Sequence, residues 1–466
     1  MVTTSAPASS SAGTLDVPSL VSQLMALERR PIDKLNAQIG ANQTKISSFG
    51  TISGLVSGLQ TAAQNVSKGL QGFATTSSDP TVFSSSASST AVAGSYSLNV
   101  SALAQSQNLV SAGLASSSTA ISNGVATTLS FDFGTTAGAT FTSNGTGIKS
   151  ITINSTNNSL QGIAAAVNAA NMGVTATLIN DGSATSPFRL SITSNSTGAS
   201  NSLKISTTGG DGSINTLLAY DPAGVKNLTQ TVAAQNANFT VNGIAISSAS
   251  NTVTNAIQGV SLTLNKTTVS PATLTVAHDT AAVNTAVTSF VDSYNALYNQ
   301  MRTRSAYGSA GTTAPSLAGD GTIRLMMDQL RGVLTSGATG GTMSLLSQAG
   351  ITTQSNGTLK LDSTVFNTAL SSNYSDMSNL FTSASGFSTR LDSWATSVLT
   401  PGTGLIATRT QNINTSTDGY NQRVSQLENR MTILKKQYTI QYSNLNMLLS
   451  SMNSTSSYLS VQLTKL

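Results

Sequence analysis

Apolar residues return at every seventh position through residues 420–466: Val424, Met431, Tyr438, Leu445, Met452, Leu459 and Leu466. A second track, four residues earlier, reads Tyr420, Leu427, Leu434, Gln441, Leu448, Thr455 and Gln462, apolar at its start and polar toward its end. Two such tracks form the seam of a coiled-coil helix, which must meet another helix to be buried. The stretch holds neither Gly nor Pro and predicts a helix roughly 70 Å long at 1.5 Å per residue.

The start of the chain predicts the partner. Asp16-Val17-Pro18 opens a helix, with an acidic cap and Pro in the first turn where its missing N–H costs nothing. Leu20, Leu24 and Leu27 make its stripe, and Pro31 should kink or restart the helix near Glu28-Arg29-Arg30. A second track runs through Leu35, Ile39, Ile46, Phe49, Ile52, Val56, Leu59, Ala63, Val66 and Leu70, its spacing drifting between three and four. Gly40, Gly50, Gly54 and Gly58 weaken this helix by up to ~1 kcal/mol each relative to Ala, so it needs a neighbour. The C-terminal seam is the expected one.

From about Thr75 the period changes to two. Ala93–Val100 alternates, and short runs recur at Thr128–Phe133, Ile148–Ile153, Val174–Ile179, Phe188–Ile192 and Leu203–Ile205. A helical island, Leu160–Asn168, interrupts them. Strands follow at Ala237–Val241, Ile244–Ile246, Ser261–Leu264 and Leu274–Val276, with Asn242-Gly243 marking a hairpin. Helical spacing returns after Asp279 at Val283, Val287, Phe290, Val291, Tyr294, Leu297 and Tyr298, and again at Gly321–Leu334 and Ser385–Leu399. A short hairpin is expected in Gly350–Leu361, turning at Asn356-Gly357.

The fold expected is α+β and multidomain: an antiparallel helical coiled-coil stem built from both chain ends, with inserted β-rich head domains. Residues 1–42 form an N-terminal assembly segment, mobile in the monomer, and 43–75 a stem helix. Residues 76–108 with 236–278 make one β-rich domain and 109–235 a second inserted in it. Residues 279–405 form a helical stem domain and 406–466 the C-terminal coiled-coil segment. The assembly seam is assigned to Leu20, Leu24, Leu27, Leu35, Ile39, Ile46 and Phe49 with Val424, Leu427, Met431, Leu434, Tyr438, Leu445, Met452 and Leu459. Its polar decay at Gln441, Thr455 and Gln462 predicts stable pairing around 420–434 and a loose 437–466 that orders on assembly.

Composition narrows the chemistry. Only 8% of residues are charged, Glu occurs only at Glu28 and Glu428, and Cys is absent, so disulfides and thiolate metal sites are excluded. A net charge of +5 on so few charged groups describes a nearly neutral surface rather than a nucleic-acid footprint. Residues 1–13 lack the basic and apolar regions of a secretory signal, and no window reaches the ~20 apolar residues of a membrane span. The chain is expected to be cytoplasmic or exported without a cleaved signal.

His278 is the only histidine, and the scattered Asp residues form no suggestive pair, so no catalytic, cofactor or metal site is expected. His278 reads as a loop residue after a strand, and Trp394 as core. Arg29, Arg30, Lys34, Arg423, Arg430, Lys435 and Lys436 flank the two terminal seams. They read as solvated flanks or as contacts for acidic patches on an assembly partner; interleaved aromatics for nucleic-acid stacking are missing.

Several segments in order resemble one family. Gly13-Thr14-Leu15-Asp16-Val17-Pro18-Ser19-Leu20 with Glu28 and Pro31 is similar to the start of the flagellar filament cap proteins, the FliD or hook-associated protein 2 family. Tyr96–Val100 leading to Gln107, Ala166-Val167-Asn168-Ala169-Ala170, Phe239–Gly243, Asn251-Thr252-Val253, Ile257–Val260, Phe290–Asn295 and Met452–Leu459 continue the resemblance. It implies a non-catalytic, extracellular protein at the filament tip, exported through the flagellar type III channel. The implied assembly is a closed ring, a homopentamer, with terminal helices as legs and β domains as a plate. Implied partners are flagellin, the hook–filament junction proteins and a flagellar export chaperone. A flagellin-like or junction protein, and a secreted adhesin binding glycans or mucin through its β domains, are the alternatives.

Overall fold

The computed structural model describes residues 15–138, 140–307 and 314–464. The chain divides into two compact units: residues up to 70 with 280 onward, which are helical, and residues 71–279, which are β-rich. The fold is α+β, with the helical unit drawn from both parts of the chain and the β-rich unit inserted between them in sequence.

The helical unit begins with α1 (Val17–Glu28) and α2 (Arg30–Gly69). Asp16 caps α1 by accepting from the Ser19 amide at 3.2 Å. Arg29 separates the two helices and Pro31 lies in the first turn of α2, the one place where a proline leaves no orphaned hydrogen bond. Residues 42 and 43 fall inside the uninterrupted α2, so the expected division between them has no counterpart in the backbone.

The β-rich unit holds β1 (Phe73–Ser77), β2 (Phe83–Ala87), β3 (Gly94–Ala102), β4 (Asn108–Val110), β5 (Thr127–Ala137), β6 (Thr140–Ser143) and β7 (Lys149–Ile153). After α3 (Leu160–Ala169) come β8 (Val174–Asn180), β9 (Phe188–Ser194) and β10 (Ser202–Gly209), then α4 (Ser213–Leu218). The unit closes with β11 (Thr229–Val232), β12 (Ala237–Val241), β13 (Ile244–Ser248), β14 (Thr252–Ile257), β15 (Val260–Leu264) and β16 (Ala272–His278). One core lies between the sheet β1-β16-β3-β12-β13 and the sheet β14-β15-β2, and is filled by Phe83, Leu98, Val100, Phe239, Leu262 and Leu274. A second core, drawn wholly from residues 109–228, joins β11-β4-β9-β8 to the strands around β5, with α3 contributing Leu160, Ile163 and Val167. The β12–β13 hairpin turns at Asn242, φ +50°, and Gly243, φ +84°, the left-handed pair that a two-residue turn requires.

Several strands carry no sequence signal. β1 (Phe-Ala-Thr-Thr-Ser), β2 (Phe-Ser-Ser-Ser-Ala), β6 and β11 are half or more Ser and Thr, so apolar alternation does not mark them. Ladder hydrogen bonds place them instead: β2 runs antiparallel to β15 from Phe83↔Leu264 to Ala87↔Val260. His278 is not a loop residue. It is the last residue of β16, and its ring stacks on Phe73 across the ladder at 4.7 Å.

The helical unit resumes with α5 (Thr280–Ser305) and α6 (Gly321–Thr335), then β17 (Ile351–Thr353) and β18 (Leu359–Leu361), the short hairpin. Next come α7 (Ser363–Ser372), α8 (Tyr374–Thr382) and α9 (Phe387–Leu399), and the unit ends with α10 (Leu405–Leu463). Its core takes Phe49, Ile52, Val56, Leu59 and Val66 from α2, the Val283–Met301 stripe from α5, and Leu391, Trp394 and Val398 from α9. The second half of the α2 track therefore joins a core with α5 and α9, not the C-terminal seam. Asp320, with a side chain only 4% exposed, caps α6 and receives both Nε and Nη2 of Arg409 at 3.0 and 2.8 Å. Arg390 donates to the carbonyls of Val333 in the last turn of α6 and of Ser336 and Gly337 just past it, and lies 4.6 Å over the Phe387 ring.

Candidate assembly interface

The two chain ends run antiparallel. The Leu15 amide donates to Asn446 Oδ1 at 2.9 Å, Arg29 Nη2 meets Glu428 Oε1 at 3.1 Å, and Asn42 Nδ2 donates to Thr417 Oγ1 at 3.1 Å. As the number rises on α1 and α2 it falls on α10, which is what an antiparallel seam requires. Arg29 finds one of the chain's two glutamates, but both side chains are about half exposed. Such a pair sets register more than it stabilises.

The assigned seam residues divide into three groups. Leu20, Leu24, Leu35, Ile39 and Ile46 are half-buried, as are Val424, Leu427, Leu434 and Tyr438, while Met431 is buried. Phe49 is fully buried but belongs to the core of the helical unit. Leu27, at 53% exposed, and Leu445, Met452 and Leu459, at 42%, 60% and 54%, are not covered. Leu27 corrects the expected α1 stripe: Val17 and Val21 are the buried residues, and at 100° per residue Leu27 falls on the flank of the face they define.

Sequence reading missed Val17, Val21 and Ile32, the last only 1% exposed. The i, i+4 pair Val17/Val21 and the i, i+3, i+7 set Ile32/Leu35/Ile39 carried a signal that the leucine track obscured. It also missed the polar contacts of Asn42, Thr417 and Asn446, which have no pattern to reveal them.

On one side of the paired helices a groove is lined by Val17, Val21, Met25, Arg29, Glu428 and Met431. On the other, Pro31, Lys34, Leu35, Arg423, Leu427 and Arg430 line a second groove. Beyond Asn446 the helix continues to Leu463, but every described side chain except the half-buried Leu449 is exposed, including Met447, Leu448, Met452, Tyr458, Leu459, Val461 and Leu463. No charged residue occurs between Lys436 and Lys465. The stretch expected to be loose is thus one continuous helix with its apolar face uncovered among the described residues. Leu466, the last member of the heptad track, lies outside them.

Among the described residues no three His, Asp or Glu side chains converge as a metal site would require, and no helix is long and apolar enough to cross a membrane.

Two family models match the chain: the N-terminus of flagellar hook-associated protein 2 over residues 13–107 and its C-terminus over 234–454. The second β core, residues 109–228, lies between the matched regions. The chain is 32% identical over 369 residues to flagellar hook-associated protein 2 of Escherichia coli (strain K12), covering 76% of each chain. It is 28% identical over 400 residues to the B-type flagellar hook-associated protein 2 of Pseudomonas aeruginosa, covering 81% of each. In structure it is similar to the D1-D2-D3 domains of the flagellar cap protein FliD from Escherichia coli, with a TM-score of 0.68 and 33% identity, covering 79% of this chain and 99% of that one.

Proposed function

Since the chain belongs to the flagellar hook-associated protein 2 (FliD) family, we propose that it caps the distal tip of a flagellar filament. There it retains exported flagellin and promotes its polymerisation without covalent chemistry. The protein works as a closed ring, a homopentamer, outside the cell, after export through the flagellar type III channel with the help of an export chaperone. It meets the hook–filament junction proteins when the cap first forms.

The observation that carries this reading is the stretch of α10 past the Leu15–Asn446 contact, an uncharged helix whose apolar side chains are uncovered among the described residues. Large apolar side chains in one contiguous strip are a contact surface, because leaving them in water costs about 25 cal/mol per Å². A helix buried only on assembly also defers its ordering entropy to that event. Such contacts are individually weak and renewable, which suits a cap that must shift as each subunit adds.

The test is complementation of a strain lacking its own copy with a Met452→Glu/Leu459→Glu variant. The expected outcome is flagellin shed into the medium and absent or stunted filaments, from a protein whose circular dichroism is unchanged. Filaments of normal length with flagellin retained on the cell would overturn the assignment. Negative-stain images of the purified chain separate the flagellin-like alternative, which predicts long fibres where a cap closes into rings.

A further inference from the structure

We propose that the groove between the start of α2 and α10, lined by Lys34, Arg423 and Arg430 over Leu35, Leu427 and Pro31, is a docking site for an acidic amphipathic helix of another protein. The seam explains the leucines of this groove but not its cations. No acidic residue lines it. Glu428, which could have neutralised it, is held by Arg29 and lines the other groove. Among the described residues Lys34, Arg423 and Arg430 form no ion pair.

The charge is concentrated here. Residues 28–45 and 418–436 together carry eight Lys and Arg against four Asp and Glu, so this collar holds +4 of the chain's net +5. In a chain with only 8% charged residues, a cationic groove flanked by an uncharged helix is a localised feature and not a general basic character.

The occupant follows from complementarity. Two antiparallel helices with half-buried leucines between them offer the floor on which a third helix packs, reading anchors at i, i+3/i+4 and i+7. Three rim cations select carboxylates beside those anchors. A second copy of this chain cannot supply them: its closest acidic pair, Glu28 and Asp33, is five apart, and no two acids stand at i, i+3, i+4 or i+7. The partner is therefore a different protein whose helix carries a leucine seam flanked by Glu or Asp.

The experiment uses the full-length purified chain and a fluorescent synthetic helix about three heptads long with a leucine seam and Glu flanks. Gln-flanked and Lys-flanked isosteres serve as comparison peptides. The Glu peptide should bind at least ~10-fold tighter than the Gln peptide, and should weaken as salt rises and the Debye length falls from about 10 Å toward 3 Å. Lys34→Gln/Arg423→Gln/Arg430→Gln should weaken it ~10-fold. Arg30→Gln/Lys435→Gln/Lys436→Gln, which removes as much charge from the same collar outside the groove, should change it less than about twofold. Equal binding of the Glu and Gln peptides overturns the proposal, and this comparison depends on no variant. So does equal weakening by the two triple variants, or a single-stranded oligonucleotide that competes through the same three residues and binds more tightly. The assay does not read filament growth, so its failure leaves the capping role standing, and failure of that role leaves it intact.

Discussion

Asn295 clasps Leu359 with both ends of its side-chain amide: Nδ2 donates to the Leu359 carbonyl at 2.9 Å, and Oδ1 accepts the Leu359 amide at 2.7 Å. A helix side chain here does the work of a missing strand neighbour. Asn168 of α3 holds Ala176 of β8 in the same way, both bonds 2.8 Å, and Asn251 holds Ala104 at 2.7 and 3.0 Å. All three asparagines lie in segments that carry the family resemblance. The physical content of those motifs is the satisfaction of backbone groups that no strand reaches.

Asn295→Asp keeps the shape and removes the donor, setting a carboxylate oxygen against the Leu359 carbonyl. Urea unfolding of the helical unit should show a loss of about 1–3 kcal/mol, the usual cost of an unmet buried polar group. Asn295→Asp with unchanged stability would mean that the clasp does not contribute.

Two ion pairs in the helical unit should behave differently. Asp320→Ala removes a nearly buried carboxylate that both caps α6 and pairs with Arg409, and should cost about 3 kcal/mol. Glu428→Gln breaks the half-exposed pair with Arg29 and should cost no more than about 1 kcal/mol. Denaturation midpoints of the two variants decide the order.

Phe49→Ala opens a cavity in the core and should cost about 3–5 kcal/mol. Leu27→Ala, at a half-exposed position, should stay within about 0.5 kcal/mol. Both residues belong to the assigned assembly seam, so the contrast tests burial and not sequence pattern.

Acid should act at two places in the β-rich unit. Burial pushes the His278 imidazole below its usual range, so the unfolded chain takes up the proton more readily and stability falls as pH drops through about 6.5. His278→Phe should flatten the melting temperature between pH 8 and 5. The Arg189 side-chain hydrogen bond, with the Ser183 contacts, holds Asp181 down to about 2. Its contribution should be complete above the ordinary carboxylate range near ~4 and be lost as pH falls through about 2. Arg189→Gln should remove that acid-sensitive component.

Gly40, Gly50, Gly54 and Gly58 lie within α2, and a methyl group at each would meet nothing within 4 Å. Changing each to Ala should stabilise the helix by about 0.5–1 kcal/mol. A higher melting temperature with poorer motility would show that the flexibility of this helix is used.

Periodicity by itself determined the class of fold and the identity of the long helices. A 3.6- or seven-residue repeat holds wherever a helix buries one face, so α1, α2, α5 and α10 were legible, as were alternating strands such as β3, β5 and β12. Asp16 and Pro31 marked helix starts because caps and prolines act within a few residues. Tertiary structure decided what sequence-local signals do not encode. Ser- and Thr-rich strands such as β2 exist because a neighbouring ladder supplies their hydrogen bonds. The α2 track divides at Phe49 because from there on it packs into the core formed with α5, α9 and the start of α10. Among the described residues the same heptad is buried at Met431, where α1 packs beside it, and exposed at Met452. A repeat specifies which face of a helix seeks a partner; only the path of the rest of the chain determines how far that partner extends.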